Sequence, residues 1–152
     1  MTWTVQPVGF IHADRSEPID DRWDSVGASI ELLAEFDDAA LDGLDAFSHA
    51  EILFLFHGVH ESDVEQGARH PRGNTEWPRV GIFAQRARNR PNRIGATIVR
   101  VLGRDGRTLR IAGLDAVDGT PVLDIKPVLI EFLPRTAVYQ PKWATELMRD
   151  YW

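Results

Sequence analysis

The chain has 152 residues, 43% apolar and 26% charged, with no cysteine and a net charge of −6. That length suits one core, the composition excludes disorder, and the missing thiols exclude disulfide scaffolds, thiolate metal sites and a cysteine nucleophile. The acidic balance hides a basic block: Arg69 to Arg110 holds eleven Arg, no Lys and two acids, Glu76 and Asp105, so this span carries +9 and the remainder −15.

The opening segment, MTWTVQPVGFIHADRSEPIDD, lacks a basic start followed by an apolar run, so no signal peptide is expected. The longest apolar run, Ile52–Phe56, is far short of the ~20 residues that span a bilayer. Val8–His12 reads as a first strand, and Ser29–Leu33, after Gly27, as a second. Asp37–Gly43 reads as a short helix with an Asp cap and a Gly stop, followed by Leu44 and Phe47 as fasteners to the core. Glu51–Val59 is apolar on both faces, the pattern of a buried strand. Arg79–Gln85 and the β-branched run Ile94–Leu102 predict further strands. Asp105-Gly106 signals a hairpin within Gly103–Arg107, with Thr108–Val117 as the returning strand and Val122–Ile125 as one more. After Pro141 the tail KWATELMRDYW predicts a C-terminal helix whose stripe of Trp143, Leu147 and Tyr151 reads as a core cap. Short strands, hairpins and few helices make the fold mainly β, an antiparallel sheet closed into a barrel. Residues 1–152 read as a single domain without linker or repeat, and no G-x-G-x-x-G follows a strand, so a nucleotide would bind by a non-Rossmann route.

Three segments exceed what folding alone requires. Phe56–Glu61 ends the buried strand, where a pocket rim would stand. Its His57, His60 and Glu61 do not form H-E-x-x-H, and no metal is expected there. Gly67–Pro78 is a long loop that reads either as a lid or partner-binding loop, or as a passive surface excursion. Gly81–Gly95 crowds Arg86, Arg88, Arg90 and Arg93 around a Pro/Asn turn, and Leu114–Pro127 sets Asp115, Asp118 and Asp124 around another. Such loops suit a ligand of mixed charge, with a structural ion network as the rival reading. Arg rather than Lys favours planar contacts to phosphate or carboxylate.

These segments resemble the signature of the TsaA-like family, also called YaeB or TrmO, of S-adenosylmethionine-dependent tRNA methyltransferases. The resemblance runs from Pro7–Ile11 through Gly43–His49, Phe54–His57, Gly81–Arg86 and Arg90–Gly95 to Leu114–Pro127, the most specific stretch. It implies a single-sheet antiparallel β-barrel and a homodimer with S-adenosyl-L-methionine near the subunit interface. It also implies N6-methylation of threonylcarbamoyl-adenosine beside the tRNA anticodon; the missing cysteine fits a reducing cytoplasm, and the short apolar runs suggest no membrane partner. By position, cofactor contacts fall on His57, Gly58, Arg86, Ala96, Leu114, Asp115 and Asp118, and substrate contacts on Arg90, Asn92 and Lys126. His57 is the candidate general base, because its pKa can lie near neutrality. Where the family often reads R-P-N-P-I-G-L-S, this chain has Arg90-Pro-Asn-Arg-Ile-Gly-Ala-Thr97, and Pro18–Asp24 replaces the usual Pro-Arg-Gln. The larger bacterial members carry an added C-terminal domain. These departures mark a subgroup, for which an S-adenosylmethionine-binding regulatory module and a methyltransferase with a different small-molecule acceptor are alternatives.

Overall fold

In the computed structural model, which describes residues 1–152, six antiparallel strands close into a barrel. They are β1 (Gly9–Ala13), β2 (Gly27–Leu32), β3 (His49–Leu55), β6 (Ile94–Asp105), β7 (Thr108–Ala112) and β8 (Pro121–Pro127). The two-residue strands β4 (Ala68–Arg69) and β5 (Val80–Gly81) pair apart from it. Around the barrel the order is β1-β2-β7-β6-β3-β8, and β8 pairs back onto β1 through Gly9↔Val122 and Phe10↔Pro121. Closure leaves no long free strand edge.

Alternation of side chains fills the interior. Ile11, Ile30, Ile52, Phe54, Val99, Leu109, Ile111 and Val122 point inward and are almost fully buried, joined by Leu41, Leu114 and Ala116 from connecting segments. Each large side chain so buried contributes roughly 1.5–3 kcal/mol. The Phe54 ring lies directly over Gly95: a Cβ there would come within 2.5 Å of Phe54 Cε2 and Cζ, so only glycine lets the ring close this part of the barrel.

Several predicted elements take a different form. Glu51–Val59 is not buried on both faces. β3 spans His49–Leu55 and buries only Ala50, Ile52 and Phe54, because the strand is one layer of a barrel with a solvent side. It stops where the chain tightens, with His57 N donating to Leu55 O at 2.8 Å and Val59 N to Phe56 O at 3.1 Å. Only Val80–Gly81 of the expected Arg79–Gln85 strand is extended, since Ile82–Ala84 coils into a 3-10 turn that buries Ile82. The strand expected over Thr108–Val117 ends at Ala112, where Gly113 turns the chain at φ +84°. β6 runs past Leu102 to Asp105 across a bulge at Val101/Gly103, and Gly106, at φ +56°, makes the hairpin. The Asp37 carboxylate caps a 3-10 turn over Asp38–Leu41 rather than an α-helix, accepting from Ala39 N at 2.9 Å. Leu44 packs on the core, whereas Phe47 stays exposed.

The tail helix α1 is short, Lys142–Leu147, and Tyr151 lies beyond it. The tail is fastened at several points: Arg22 N donates to Asp150 O and Trp23 N to Tyr151 O, both at 2.9 Å, and Trp77 Nε1 donates to Glu146 Oε2 at 2.9 Å. That last bond ties the Gly67–Pro78 loop to α1, and no helix is long and apolar enough to cross a membrane.

Candidate functional site

The loop after β7 carries Asp115 back along β6. There Thr97, buried and facing inward, donates Oγ1 to Asp115 Oδ1 at 2.5 Å. Tyr151 OH donates to the other oxygen, Oδ2, so both carboxylate oxygens are held. Arg86, on the loop before β6, donates Nη2 to the main-chain carbonyl of Ala96, the residue next to Thr97. Arg86, Ala96, Thr97, Asp115 and Tyr151 thus converge from four separate segments. Burial first, and then the Asp115 carboxylate, push the Tyr151 phenol far above the ordinary tyrosine value, against the pull of the nearby Arg86 and Arg72 charges. The phenol is therefore a neutral donor throughout the physiological range.

A second grouping adjoins β3. Phe56 N donates to Arg93 O at 2.8 Å, and Arg93 Nη1 donates to Val59 O at 2.6 Å. These bonds tie the turn bearing the exposed His57 and Gly58 to the turn bearing Arg90, Asn92 and Arg93. Arg90 Nη1 closes its own loop on Gln85 O at 2.6 Å. Gln85, almost fully buried, donates from Nε2 to Val80 O at 3.0 Å and Arg69 O at 3.2 Å and so anchors the start of the Arg-rich loop.

The rival reading of this loop as an ion network fails on its partners. Arg86, Arg90 and Arg93 bond main-chain carbonyls, as does Arg88 to Pro18 O at 3.3 Å. None of the four makes a salt bridge. The pairing with acids falls elsewhere, on Arg72–Asp21 at 2.9 Å and on Arg104–Asp42. Four positive charges in one loop are thus held in place without being neutralised.

The remaining expected residues are placed less centrally. The Leu114 side chain is sealed in the core, leaving only its main chain for a ligand. Asp118 fastens the end of β1, accepting from Ala13 N at 3.0 Å while its own N donates to Arg15 O at 2.7 Å. Lys126 lies along β8, opposite Glu51, and binds Asp124 at 2.6 Å. That carboxylate, with Glu51 beyond it, holds the Lys126 ammonium above the ordinary lysine value. No three His, Asp or Glu stand close enough to hold a metal ion. A surface hollow lined by Glu31, Glu35, Asp37, Asp38 and Arg107 among others shares no residue with the cluster.

Sequence reasoning missed Thr97 and Tyr151. A signal existed for Thr97: it stands where the pattern R-P-N-P-I-G-L-S ends in Ser, so the hydroxyl is kept. For Tyr151 there was none, since spacing on an apolar stripe says nothing about where its oxygen points.

The family model described as the tRNA-methyltransferase O N-terminal domain matches residues 12–132. The tRNA (adenine(37)-N6)-methyltransferase of Escherichia coli is 44% identical over 112 residues, 69% of this chain and 46% of that protein. A Methanothermobacter thermautotrophicus protein named "Probable S-adenosyl-L-methionine-binding protein" is 39% identical over 127 residues, covering 81% of this chain and 88% of its own. A crystal structure of TrmO from Pseudomonas aeruginosa superposes with a TM-score of 0.71 at 36% identity, covering 92% of this chain and 62% of that one. The chain therefore spans about half to two thirds of the bacterial methyltransferases it matches.

Proposed function

The chain belongs to the tRNA-methyltransferase O N-terminal domain family, and from that premise we propose that it is an S-adenosyl-L-methionine-dependent methyltransferase acting on N6 of threonylcarbamoyl-adenosine beside the tRNA anticodon. The observation that carries the reading is the Arg86–Thr97–Asp115 cluster, beside three further arginines of the same loop, Arg88, Arg90 and Arg93, without acid partners. A guanidinium and a carboxylate anchored on successive residues of β6, Ala96 and Thr97, suit a ligand that has both an ammonium and a carboxylate. The uncompensated arginines suit a phosphate backbone.

When bound, S-adenosyl-L-methionine supplies an activated methyl group. The residues of this chain bind and orient. Arg86 meets the cofactor's carboxylate with the N–H groups that Ala96 O leaves over, and Asp115 meets the amino group or ribose. Gly58 leaves open space beside His57, since a Cβ there would meet nothing within 4 Å. The main chains of Ala96 and Leu114 line the same cradle, and Asp118 fixes its outer turn. Arg90, Asn92 and Lys126 hold the acceptor strand, and an in-line approach at near-contact distance does the rest. His57, exposed on the turn tied to Arg93, takes the proton that leaves the amide nitrogen.

Residues 1–152 act in this reading as one TsaA-like β-barrel domain in the cytoplasm, working as a homodimer. The outward Ile94, Ile98 and Leu102 of β6, each 40–51% exposed, support the dimer as an apolar stripe for a second copy. Light scattering on the purified chain tests it.

The deciding experiment is incubation with methyl-labelled S-adenosyl-L-methionine and total tRNA, followed by nucleoside mass spectrometry. Label in the threonylcarbamoyl nucleoside is the expected result, and binding weakens steeply with salt. The relative of similar length named only for cofactor binding favours one second reading, a barrel that binds without turnover. Tight cofactor binding with no labelled nucleoside would select it, and a flat salt response would point to a small-molecule acceptor.

A further inference from the structure

Tyr151 belongs to no strand of the barrel, yet its phenol reaches the carboxylate at the centre of the site. A carboxylate held by one donor can rotate. Asp115 has two, Thr97 from β6 and Tyr151 from the tail, and they come from elements far apart in sequence. The tail is itself pinned where it must be for this contact, by Trp23 N on Tyr151 O and Arg22 N on Asp150 O, both at 2.9 Å, and by Trp77 on Glu146. Arg15 lies over Trp23 at 4.3 Å and bonds Arg22 O at 2.7 Å, so the loop that holds the tail is braced in turn. Docking the tail for stability alone would need only the half-buried ring. It would not need a charge-assisted bond to this carboxylate.

We propose that Tyr151 is a positioning residue of the cofactor site: the tail from Lys142 to Trp152 forms one wall, and the phenol fixes the plane of Asp115 so that its remaining lone pairs face the ligand. The inference rests on the reading of the preceding subsection. It assigns the short tail a part in binding, and it explains why a half-buried tyrosine donates to an acid instead of to water.

The test uses the full chain and calorimetry with S-adenosyl-L-homocysteine, the demethylated product, as probe. Tyr151→Phe keeps the ring and removes the donor. Binding is expected to weaken about tenfold or more, with a raised cofactor KM, near-unchanged kcat at saturation and a ligand-free Tm only a few degrees lower. Trp143→Ala is the comparison, since it loosens the same tail without touching Asp115. Its Tm falls at least as far, and its affinity falls less. Equal affinity losses in the two variants would make the tail merely structural and overturn the inference. So would unchanged or tighter binding by Tyr151→Phe while the natural chain binds, the tighter case meaning that the phenol competes with the ligand. No binding by the natural chain removes the cofactor reading and the inference with it.

Discussion

Thr97 offers the sharpest separation of folding from binding. The residue is 8% exposed, and its hydroxyl supplies one of two donors to Asp115. Thr97→Val keeps the shape and removes the hydroxyl. A hydrogen bond to a charged acceptor is worth about 1.5–3 kcal/mol, and a valine methyl in place of a buried hydroxyl returns part of that, leaving a net loss of about 1–2 kcal/mol. For a chain of this size each kcal/mol moves Tm by about 2–4 °C, so thermal denaturation of the ligand-free protein should show a drop of about 2–8 °C. Thr97→Ser loses a buried methyl and keeps the hydroxyl, at a cost of similar size, about 1 kcal/mol. The two variants therefore melt alike and bind differently: in calorimetry with S-adenosyl-L-methionine the Ser variant stays within about threefold of the natural chain, while the Val variant weakens about tenfold. Equal affinities for Val and Ser would refute the argument that the held carboxylate is what the ligand meets.

Arg86→Ala should weaken cofactor binding by roughly ten- to a hundredfold in the same assay, the range of one charge-assisted bond, and unchanged affinity removes Arg86 from the site. His57→Gln should lower kcat for methyl transfer by about a hundredfold; an unchanged kcat assigns proton loss to solvent. Gly95→Ala forces a Cβ to within 2.5 Å of the Phe54 ring and should cost about 1–3 kcal/mol by overpacking, read as a lower Tm. The Trp77 indole N–H holds the Glu146 carboxylate below the ordinary value of 4.5. A depressed carboxylate adds stability that is present above its unfolded pKa and lost as pH falls through the folded one. Protection factors of the α1 amides, corrected for the intrinsic exchange rate at each pH, should therefore fall below about pH 4.5 in the natural chain, and this pH dependence should flatten in Trp77→Phe.

Much of the barrel was legible because short apolar runs mark β1, β2 and β3, because β-branched residues mark β6, and because Asp105-Gly106 has few other uses than a hairpin. Boundaries failed where the signal is ambiguous. The run EILFLFHGV looks buried on both sides, but Leu53 and Leu55 sit on the outer face beside other apolar strands, half-covered by neighbours that no local window reveals. Arg79–Gln85 has strand composition, yet Gly81 and the tight turn at Ile82 leave it only two ladder residues. At the site, charged loops announced ligand chemistry, and the resemblance supplied positions. Neither could show which arginines lack an acid partner, because pairing depends on where Asp21 and Asp42 arrive in space. The contact from Tyr151 is likewise set by tail docking rather than by any local pattern.

The Arg90–Arg93 turn shows how one departure from the family pattern is built into the fold. Asn92 and Arg93 stand in succession at φ +63° and +54°, in the left-handed region. Proline, fixed near φ −65°, cannot occupy position 93 in this geometry, so a chain with R-P-N-P must turn differently here. Two non-glycine residues in that region cost about 1–2 kcal/mol each, although Asn tolerates it better than most. The Arg93 side chain offsets part of this by donating to Val59 O at 2.6 Å, while its main-chain carbonyl takes Phe56 N at 2.8 Å. Strain kept at such a point is held by its surroundings. What it holds here is the register between the His57 turn and the arginine turn, the two pieces that the proposed chemistry needs on either side of the acceptor nitrogen. The substitution at 93 is therefore one of position and charge together: it adds a cation to the loop and sets the angle at which the loop meets the barrel.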